Sequence, residues 1–294
     1  MFYRRKILLA LLQLFDNELD KIRLQKLLFL FTQQQTKKDY DFVPYKFGCF
    51  SYSANADLTA MAQKGILLET EKRFSLNDKT DYLATLREED KLYLQQIKSQ
   101  FSTATNDDLI RYTYIYYPYW ATKSTVAKEK LSANEYRNVM QYKPHSDETI
   151  LFTIGYEGVS LEEYLNRLIR NDVRVLVDVR RNPLSMKYGF SKSQLMRYCD
   201  SLDIEYLHLP EVGIASDKRQ ELNTQADYDK LFASYRETNL SKTIPVQKRI
   251  LELLQQKERI ALTCFEANIA QCHRKHLADA IVGFPEFHYE LKHI

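Results

Sequence analysis

The stretch Leu262-Thr-Cys-Phe-Glu-Ala-Asn-Ile-Ala-Gln-Cys-His-Arg-Lys-His-Leu-Ala278 carries a cluster of reactive side chains on one short segment. The apolar run at residues 259–263 is typical of a short strand that is covered on both faces. Asn268 is a favourable helix N-cap, and Gly283 stands where a helix-ending glycine belongs. The segment therefore predicts a strand, a tight turn and a helix over residues 269–282.

This order places the reactive groups close together. Cys264 and Glu266 would lie at the carboxyl end of the strand. Cys272, His273 and Arg274 would lie in the first turns of the helix, where the positive end of the helix dipole favours anions. A thiol, a carboxylate, an imidazole and a guanidinium are thus expected on one rim.

Three chemistries fit these residues. Glu266 is our first candidate, as a general acid or base poised by partial burial. Cys264 is the second, as a nucleophile that His273 or an arginine converts to a thiolate. Zinc bound by Cys264, Cys272 and His276 is the third, because residues 272 and 276 lie one helical turn apart. The sequence shows neither a C-x-x-C spacing nor a fourth ligand, so we predict no metal and no cofactor. A purely structural alternative also remains, in which the thiols are buried and the charges form an internal network.

From residue 149 onward, on both sides of this segment, apolar strands alternate with amphipathic helices. The predicted strands cover residues 149–154, 173–179, 204–209 and 284–291, and the predicted helices cover residues 160–171, 191–202, 228–237 and 245–257. This alternation predicts an α/β fold with a mostly parallel, Rossmann-like sheet and helices on both faces. In such folds ligands bind beyond the carboxyl ends of the strands.

Polar residues follow each predicted strand at that edge. Asp178, Arg180 and Arg181 come directly after the second strand. Buried charges of this kind either pair with each other or with neighbours, or the arginines contact an anionic ligand. We expect at least one arginine to bind phosphate or carboxylate. The candidate substrate-binding residues are Tyr156, Glu157, Asp178, Arg180, Arg181, Lys187, Tyr188 and Arg274.

The first 143 residues follow a different, mainly helical pattern. Helical periodicity at residues 2–15, 19–31 and 54–63 precedes a predicted two-stranded hairpin at residues 66–76, which is the order of a winged helix. Residues 127–140 are predicted to form one last helix. We expect a domain boundary within residues 142–148, giving domains 1–143 and 144–294. The candidate nucleic-acid contacts are Lys46, Lys64, Lys72 and Arg73.

The overall composition limits the class of protein. Hydrophobic residues make up 45% and charged residues 28% of the 294 residues, which are ordinary globular values. The four cysteines favour free thiols, and the apolar runs are too short to span a bilayer. No secretory signal is visible, so a cytoplasmic protein without a membrane partner is expected. The net charge of +3 permits a nucleic-acid partner without requiring one, and oligomeric state is not predicted.

Four motifs in the carboxyl-terminal part resemble the domain of unknown function 488 family. They are Thr153-Ile-Gly-Tyr-Glu-Gly158, Leu176-Val-Asp-Val-Arg-Arg-Asn-Pro183, Ile204-Glu-Tyr-Leu-His-Leu-Pro210, and Thr263-Cys-Phe-Glu266 with Cys272-His-Arg-Lys-His-Leu-Ala278. The resemblance covers residues 149–294 and implies that the matching positions form the family's site. Those positions are Tyr156, Glu157, Asp178, Arg180, Arg181, Pro183, Cys264, Glu266, Cys272, His273 and Arg274. The family itself implies no settled activity. In the loop after the third strand, Glu211-Val-Gly213 stands where a glycine pair is expected.

The amino-terminal part resembles winged-helix modules of YwgA-like proteins and related defence-associated regulators. The resemblance is carried by Leu24-Gln-Lys-Leu-Leu-Phe-Leu-Phe31, Pro44-Tyr-Lys-Phe-Gly-Cys-Phe-Ser51, Asp57-Leu58 and Lys64-Gly-Ile-Leu67. It covers about the first 80 residues and implies a nucleic-acid-binding or regulatory module.

These observations favour a nucleic-acid-associated enzyme of two domains. The α/β domain would bind and act on a phosphate-bearing nucleotide or nucleic-acid group, in genome maintenance or phage defence. One alternative is a non-enzymatic transcriptional regulator or sensor that binds a small anionic ligand. Another is a protein-interaction adaptor. An anion pocket is needed for catalysis and for sensing, so the sequence leaves both open.

Overall fold

The computed structural model describes residues 1–215 and 222–294. The chain divides into two compact units, Met1–Lys143 and Pro144–Ile294. In the described residues, no helix combines the length and the apolar character needed to cross a membrane.

The amino-terminal unit is mainly helical. Its elements are α1 (Tyr3–Leu14), β1 (Glu18–Asp20), α2 (Lys21–Thr32), β2 (Val43–Tyr45), β3 (Gly48–Phe50), α3 (Tyr52–Gln63), β4 (Leu67–Glu69), β5 (Arg73–Leu76), α4 (Glu88–Phe101), α5 (Asn106–Tyr116), α6 (Ala127–Lys130) and α7 (Ala133–Gln141). Strands β1, β5 and β4 form an antiparallel sheet in that order, and β2 pairs with β3 as a separate hairpin. Half of α1 and most of α2 are buried, and the two helices contribute many residues to the core.

The single helix predicted for residues 127–140 is wrong. The structure has two helices, α6 and α7, with Leu131 in an extended conformation between them. Ser132 explains the break, because its hydroxyl accepts a hydrogen bond from the Glu135 amide while the Glu135 carboxylate accepts one from the Ser132 amide. This capping box starts a new helix and interrupts the predicted one.

The carboxyl-terminal unit confirms the α/β prediction. Its strands are β6 (Ile150–Gly155), β7 (Val175–Asp178), β8 (Glu205–His208), β9 (Arg259–Cys264) and β10 (Glu290–His293), and its helices are α8 (Leu161–Arg170), α9 (Lys192–Asp200), α10 (Gln225–Thr238), α11 (Ile244–Lys257) and α12 (His273–Val282). The strands lie in the order β10, β6, β9, β7, β8, and every pairing is parallel. All six residues of β6 and of β9 are buried, as expected for central strands covered on both faces.

The helix predicted from residue 269 begins later. Asn268 caps a short 3-10 turn at Ile269–Gln271, where its side chain accepts from the Ala270 amide at 3.0 Å. Cys272 then adopts an extended conformation as the N-cap residue of α12. The predicted last strand is also displaced, since β10 occupies Glu290–His293.

Candidate functional site

The carboxyl ends of the central strands meet at one edge of the sheet. The register places Gly155 of β6 beside Cys264 of β9, and Asp178 of β7 beside Thr263 of β9 and His208 of β8. The polar residues that follow these strands therefore share one rim, as expected for a parallel sheet.

Cys264 lies at the centre of this edge and is 1% exposed. Its Sγ donates to Glu266 Oε2 at 3.2 Å and lies 3.6 Å from His273 Nδ1. His273 is fully buried, and its Nε2 donates to the Val179 carbonyl oxygen at 3.0 Å. A carbonyl oxygen only accepts, so Nε2 carries a proton, and Nδ1 is the ring nitrogen that faces the thiol. The Glu266 carboxylate and the His273 imidazole are thus the two groups beside Cys264 that could take its proton.

A second thiol completes a cluster of metal-binding side chains. The ligand atoms of Cys264, Cys272 and His273 lie within 4.8 Å of one another, and all three residues are buried. Burial, and then the neighbouring Cys264 thiol, raise the pKa of Cys272 well above its usual value. His276, the histidine considered from the sequence as a zinc ligand, is not part of this cluster.

His276 instead contacts helix α10. Its Nδ1 lies 3.1 Å from an Arg236 guanidinium nitrogen, and its ring centroid lies 4.5 Å from that of Phe232. In the zinc alternative weighed from the sequence, the choice of His276 as the third ligand is therefore wrong. Because α12 begins at His273, the imidazole next to Cys272 in sequence is the one that reaches the thiols.

Asp178 and Arg180 form a buried ion pair. Asp178 is fully buried and Arg180 is 6% exposed. Arg180 Nε donates to Asp178 Oδ1 at 2.8 Å, and Tyr206 donates its hydroxyl to Asp178 Oδ2 at 2.6 Å. The other end of the guanidinium donates to the Tyr156 hydroxyl oxygen at 2.7 Å and to the Phe190 carbonyl oxygen at 2.9 Å. Of the two arrangements left open by the sequence, the structure shows internal pairing.

The charge on Arg180 is held firmly by this network. Burial alone would lower the pKa of Arg180, but the hydrogen bonds and charge of Asp178 outweigh burial and raise that pKa above its usual value. Arg180 is thus a permanently charged group whose donors are largely committed to the protein.

Tyr156 connects this network to the neighbouring loop. Its ring stacks on Phe190 with centroids 4.2 Å apart and planes within 9°. Its carbonyl oxygen accepts from Lys187 Nζ at 2.5 Å. Burial lowers the pKa of Lys187, and the charge of Glu157 partly opposes this effect. Lys187 therefore fastens the loop to the end of β6.

Two further candidate residues also hold loops in place. The Glu157 carboxylate accepts from the Ala267 amide at 2.9 Å, which links the turn after β6 to the turn after β9. The Tyr188 hydroxyl lies 2.8 Å from the Tyr198 hydroxyl of α9.

Arg274 of α12 holds the turn after β9 in place. It is 3% exposed, its guanidinium donates to the Glu266 carbonyl oxygen, and its Nε has no hydrogen-bond partner among the described residues. The same carbonyl lies against Gly155, where an added Cβ would stand 2.0 Å from the Glu266 oxygen. A glycine is required at the end of β6 because the two strand ends approach so closely.

An open cleft of about 310 Å³ lies beside Cys264. Its lining residues include Tyr156, Arg181, Asn182, Ser185, Cys264 and Phe265. Arg181 is exposed, and among residues 1–215 and 222–294 its guanidinium makes only a long contact, 3.4 Å to the Pro210 carbonyl oxygen. Arg181 is thus a cation of the cleft whose donors remain largely available to a ligand.

Gly213 shapes the loop behind Arg181. A Cβ at Gly213 would lie 2.3 Å from the Arg181 amide nitrogen, so the glycine of the Glu211-Val-Gly213 segment is required there. Glu266 lines another cleft, of about 410 Å³, together with Asn223, Tyr228 and Gln271. The thiol and the carboxylate therefore contact each other and border two separate clefts.

Three contributors to the site were not predicted from the sequence. They are the Tyr206 hydroxyl, the Phe190 ring and carbonyl, and the Val179 carbonyl oxygen. Only Tyr206 had a usable signal, because it lies two residues before His208 on a strand whose end belongs to the site.

The predicted nucleic-acid contacts lie at separate turns of the amino-terminal unit. Lys46 is exposed between β2 and β3, Lys64 is exposed at the end of α3, and Lys72 is exposed in the turn between β4 and β5. Arg73 is paired with two acids of β1, at 2.6 Å to Glu18 and 2.8 Å to Asp20.

Residues 160–281 match the family described as domain of unknown function DUF488. The match lies within the carboxyl-terminal unit, includes Asp178, Arg180, Cys264, Glu266 and Cys272, and supports the resemblance drawn from the motifs. It does not extend into the amino-terminal unit. A comparison with curated proteins finds no match.

Proposed function

We propose that the carboxyl-terminal unit is an enzyme that acts on a phosphate-bearing nucleotide or nucleic-acid group bound in the cleft beside Cys264. The observation that carries the proposal is the Cys264 thiol, which contacts both His273 Nδ1 and Glu266 Oε2 and borders a cleft with an exposed arginine. Transfer of the thiol proton to His273, or to the Glu266 carboxylate that accepts from the thiol, would generate the thiolate, which is the nucleophilic form of cysteine. This arrangement favours Cys264 over Glu266 as the reacting group, with Glu266 as an acid or base beside it.

Arg181 is the residue that we assign to the anion. Arg180 was an equal candidate in the sequence, but its guanidinium is buried and bound to Asp178, Tyr156 and Phe190. The exposed fork of Arg181 can bind phosphate oxygens through two parallel hydrogen bonds without breaking an internal ion pair.

Replacing Arg181 with alanine is expected to weaken binding of nucleoside triphosphates and 5′-phosphorylated oligonucleotides by about 1.5–3 kcal/mol, because the variant cannot form the charge-assisted hydrogen bond. Isothermal titration calorimetry measures this change. Arg197→Ala is the matched control, since Arg197 is exposed on α9 and does not line the cleft. Equal affinity of the Arg181 variant and the wild-type protein for these ligands would show that their phosphate does not bind to Arg181 in this cleft.

A metal-dependent enzyme is the second candidate for the same edge. The clustered ligand atoms of Cys264, Cys272 and His273 favour it, since two thiolates and an imidazole are typical zinc ligands. The hydrogen bond from His273 Nε2 to the Val179 carbonyl would orient the ring and leave Nδ1 for the ion. Glu266, beside Cys264, could supply a further ligand or a base. Elemental analysis of the purified protein separates the two candidates.

For the amino-terminal unit we propose a winged-helix module that brings the enzyme to nucleic acid. The order α1, β1, α2, β2, β3, α3, β4, β5 supports this proposal, with the β2–β3 hairpin as an insertion between the second and third helices. The antiparallel sheet in the order β1, β5, β4 also supports it. Lys64 and Lys72 are the exposed cations that we assign to phosphate contacts. Arg73 is a weaker candidate, because binding to phosphate would compete with Glu18 and Asp20.

Duplex DNA should bind the wild-type chain with an affinity that falls linearly in a log–log plot against salt concentration. Lys64→Gln with Lys72→Gln should weaken binding to all sequences and reduce that slope by about two, because each lysine would neutralise one phosphate. Fluorescence anisotropy at several salt concentrations provides the measurement. Lys230→Gln with Lys248→Gln removes the same charge from exposed positions of the other unit and should leave the slope unchanged. Salt-independent binding, or none, would contradict the proposal and favour a protein-binding module.

A further inference from the structure

A cavity of about 200 Å³ lies within the amino-terminal unit, far in sequence from Cys264. Helix α2, the β2–β3 hairpin, helix α3 and strand β5 all contribute to its wall. The apolar part of the wall includes Ile22, Tyr45, Phe47, Phe50, Leu58 and Phe74. For comparison, an apolar cavity of about 150 Å³ is large enough to hold benzene.

The unusual member of this wall is Lys26. It is 1% exposed, and its Nζ donates to the Phe47 carbonyl oxygen and to Cys49 Sγ, the latter at 3.4 Å. The Tyr114 ring centroid lies 5.5 Å from the same nitrogen. Among the described residues, no carboxylate forms an ion pair with Lys26. A buried ammonium group is costly unless an anion compensates its charge.

The chain makes room for this ammonium group at Gly48. A Cβ at Gly48 would lie 2.6 Å from Lys26 Nζ and 2.5 Å from a ring carbon of Tyr114. Gly48 also has a φ of +87°, which side-chain-bearing residues rarely adopt. The β2–β3 turn is thus built so that Lys26 reaches the cavity wall.

The protonation of Lys26 depends on what is near it. Burial lowers the pKa of Lys26, and the Cys49 thiol partly opposes that shift. Burial raises the pKa of Cys49, so the thiol is a poor counterion for the lysine. An ammonium group has three donors, and the Phe47 carbonyl oxygen and the Cys49 sulfur engage two of them.

We propose that this cavity binds a small apolar carboxylic acid, with the carboxylate paired to Lys26 and the apolar body against Phe47, Phe50 and Phe74. The ligand would supply the missing counterion and, in return, gain a charge-assisted hydrogen bond inside an apolar wall. A phosphate fits this wall less well, because a doubly charged group needs several donors. Of the two lysines that line the cavity, Lys21 is partly exposed and paired with Glu69, so only Lys26 is a buried cation without a carboxylate partner among the described residues. The volume suits an acid of roughly six to ten non-hydrogen atoms.

Such a ligand is independent of the chemistry at Cys264 and belongs to the amino-terminal unit alone. Phe74 belongs to β5, and Lys21 at the cavity wall pairs with Glu69 of β4 at 2.6 Å. A ligand in the cavity would therefore contact residues that belong to the β4–β5 hairpin or pair with it. We assign the Lys72 contact with nucleic acid to the same hairpin.

The test compares acids with neutral molecules of the same shape on the full chain. Benzoate and cyclohexanecarboxylate should bind at least about tenfold more tightly than benzamide and cyclohexanecarboxamide, as measured by isothermal titration calorimetry. In Lys26→Met, which keeps the apolar stem and removes the charge, this preference for the acid should disappear. Lys46→Met, at an exposed position in the β2–β3 turn, should keep it.

The comparison of acid with amide in the wild-type chain needs no variant, so it decides the question even if Lys26→Met fails to fold. Equal binding of acid and amide would overturn the assignment to Lys26. No binding of either acid would overturn the proposal and leave Lys26 as a tether between α2 and the β2–β3 turn. If the preference for acid over amide disappeared in both Lys26→Met and Lys46→Met, the pairing with Lys26 alone would be contradicted, and the carboxylate would bind at the exposed β2–β3 turn.

Discussion

Asp178→Ala is expected to destabilise the carboxyl-terminal unit by about 3–5 kcal/mol, because it leaves the Arg180 guanidinium buried without its counterion. The cost is large since Asp178 is fully buried and binds Arg180 through both oxygens, while Tyr206 is also left without its acceptor. Hydrogen exchange followed by mass spectrometry measures the protection of the β7 and β9 amides separately from that of the amino-terminal unit. Protection of these strands should fall by about two orders of magnitude or more.

A matched control lies on the neighbouring strand. Glu205 of β8 forms an ion pair with Lys257 at 2.7 Å, and both side chains are about half exposed. Glu205→Ala should cost about 1 kcal/mol or less, because solvent screens the pair. Replacing both buried partners, as in Asp178→Leu with Arg180→Met, should restore much of the stability. If Asp178→Ala changed exchange no more than Glu205→Ala, the buried pair would not be the support that its geometry indicates.

The parallel sheet was predictable because its physical signature is local. Strands covered on both faces consist of short apolar runs, and β6 and β9 are such runs. Alternating strands and helices predict a parallel sheet. Asp178 and Cys264 are the last residues of their strands, so they lie at its carboxyl edge. The position of Cys264 beside Gly155 is a consequence of that rule.

The partners of Arg180 were not predictable in the same way. Two of them, the Phe190 carbonyl oxygen and the Tyr156 hydroxyl, come from segments 10 and 24 residues away in sequence. Tyr206, 28 residues from Asp178, completes the network from the next strand. Sequence shows that a buried charge needs a partner, but only the tertiary fold decides whether protein or ligand supplies it.

The histidine assignment failed for a smaller reason. The N-cap signal at Asn268 placed the helix start at residue 269, whereas Asn268 caps a 3-10 turn and the helix begins at His273. Helix boundaries are weakly encoded, and a shift of a few residues rotates every side chain at the start. His273 therefore contacts Cys264, while His276 contacts α10.

The proposed chemistry at Cys264 and Glu266 can be tested because a nucleophile, an acid or base and a metal ligand fail differently. The wild-type chain is first screened against nucleotides and phosphorylated oligonucleotides, and products are detected by mass spectrometry. Ligand binding without any product would favour the non-enzymatic sensor. The substrate that is converted then serves to compare the variants.

If Cys264 is the nucleophile, Cys264→Ser should reduce turnover to background while ligand affinity and folding persist. Glu266→Gln keeps the shape of the side chain and removes its proton-transfer role, so turnover should fall by about 10²–10⁴-fold. Glu286→Gln, outside both clefts, is the control and should retain full activity. Full activity of the Cys264 variant would show that Cys264 is not the nucleophile. Full activity of the Glu266 variant would show that Glu266 is not the acid or base.

The metal alternative predicts a different pattern in the same variants. Elemental analysis should then find about one equivalent of zinc, which both Cys264→Ser and Cys272→Ser release and His276→Ala retains. Cys272 decides between the two chemistries. As a metal ligand it would act together with Cys264 and His273, whose ligand atoms lie within 4.8 Å of its own. In the nucleophile mechanism it has no assigned role, because the Cys264 thiol donates to the Glu266 carboxylate. We therefore expect a metal-free protein in which Cys272→Ser remains active and Cys264→Ser does not. An inactive, zinc-depleted Cys272 variant would instead establish the cluster as a metal centre, since the loss of zinc would accompany the loss of turnover.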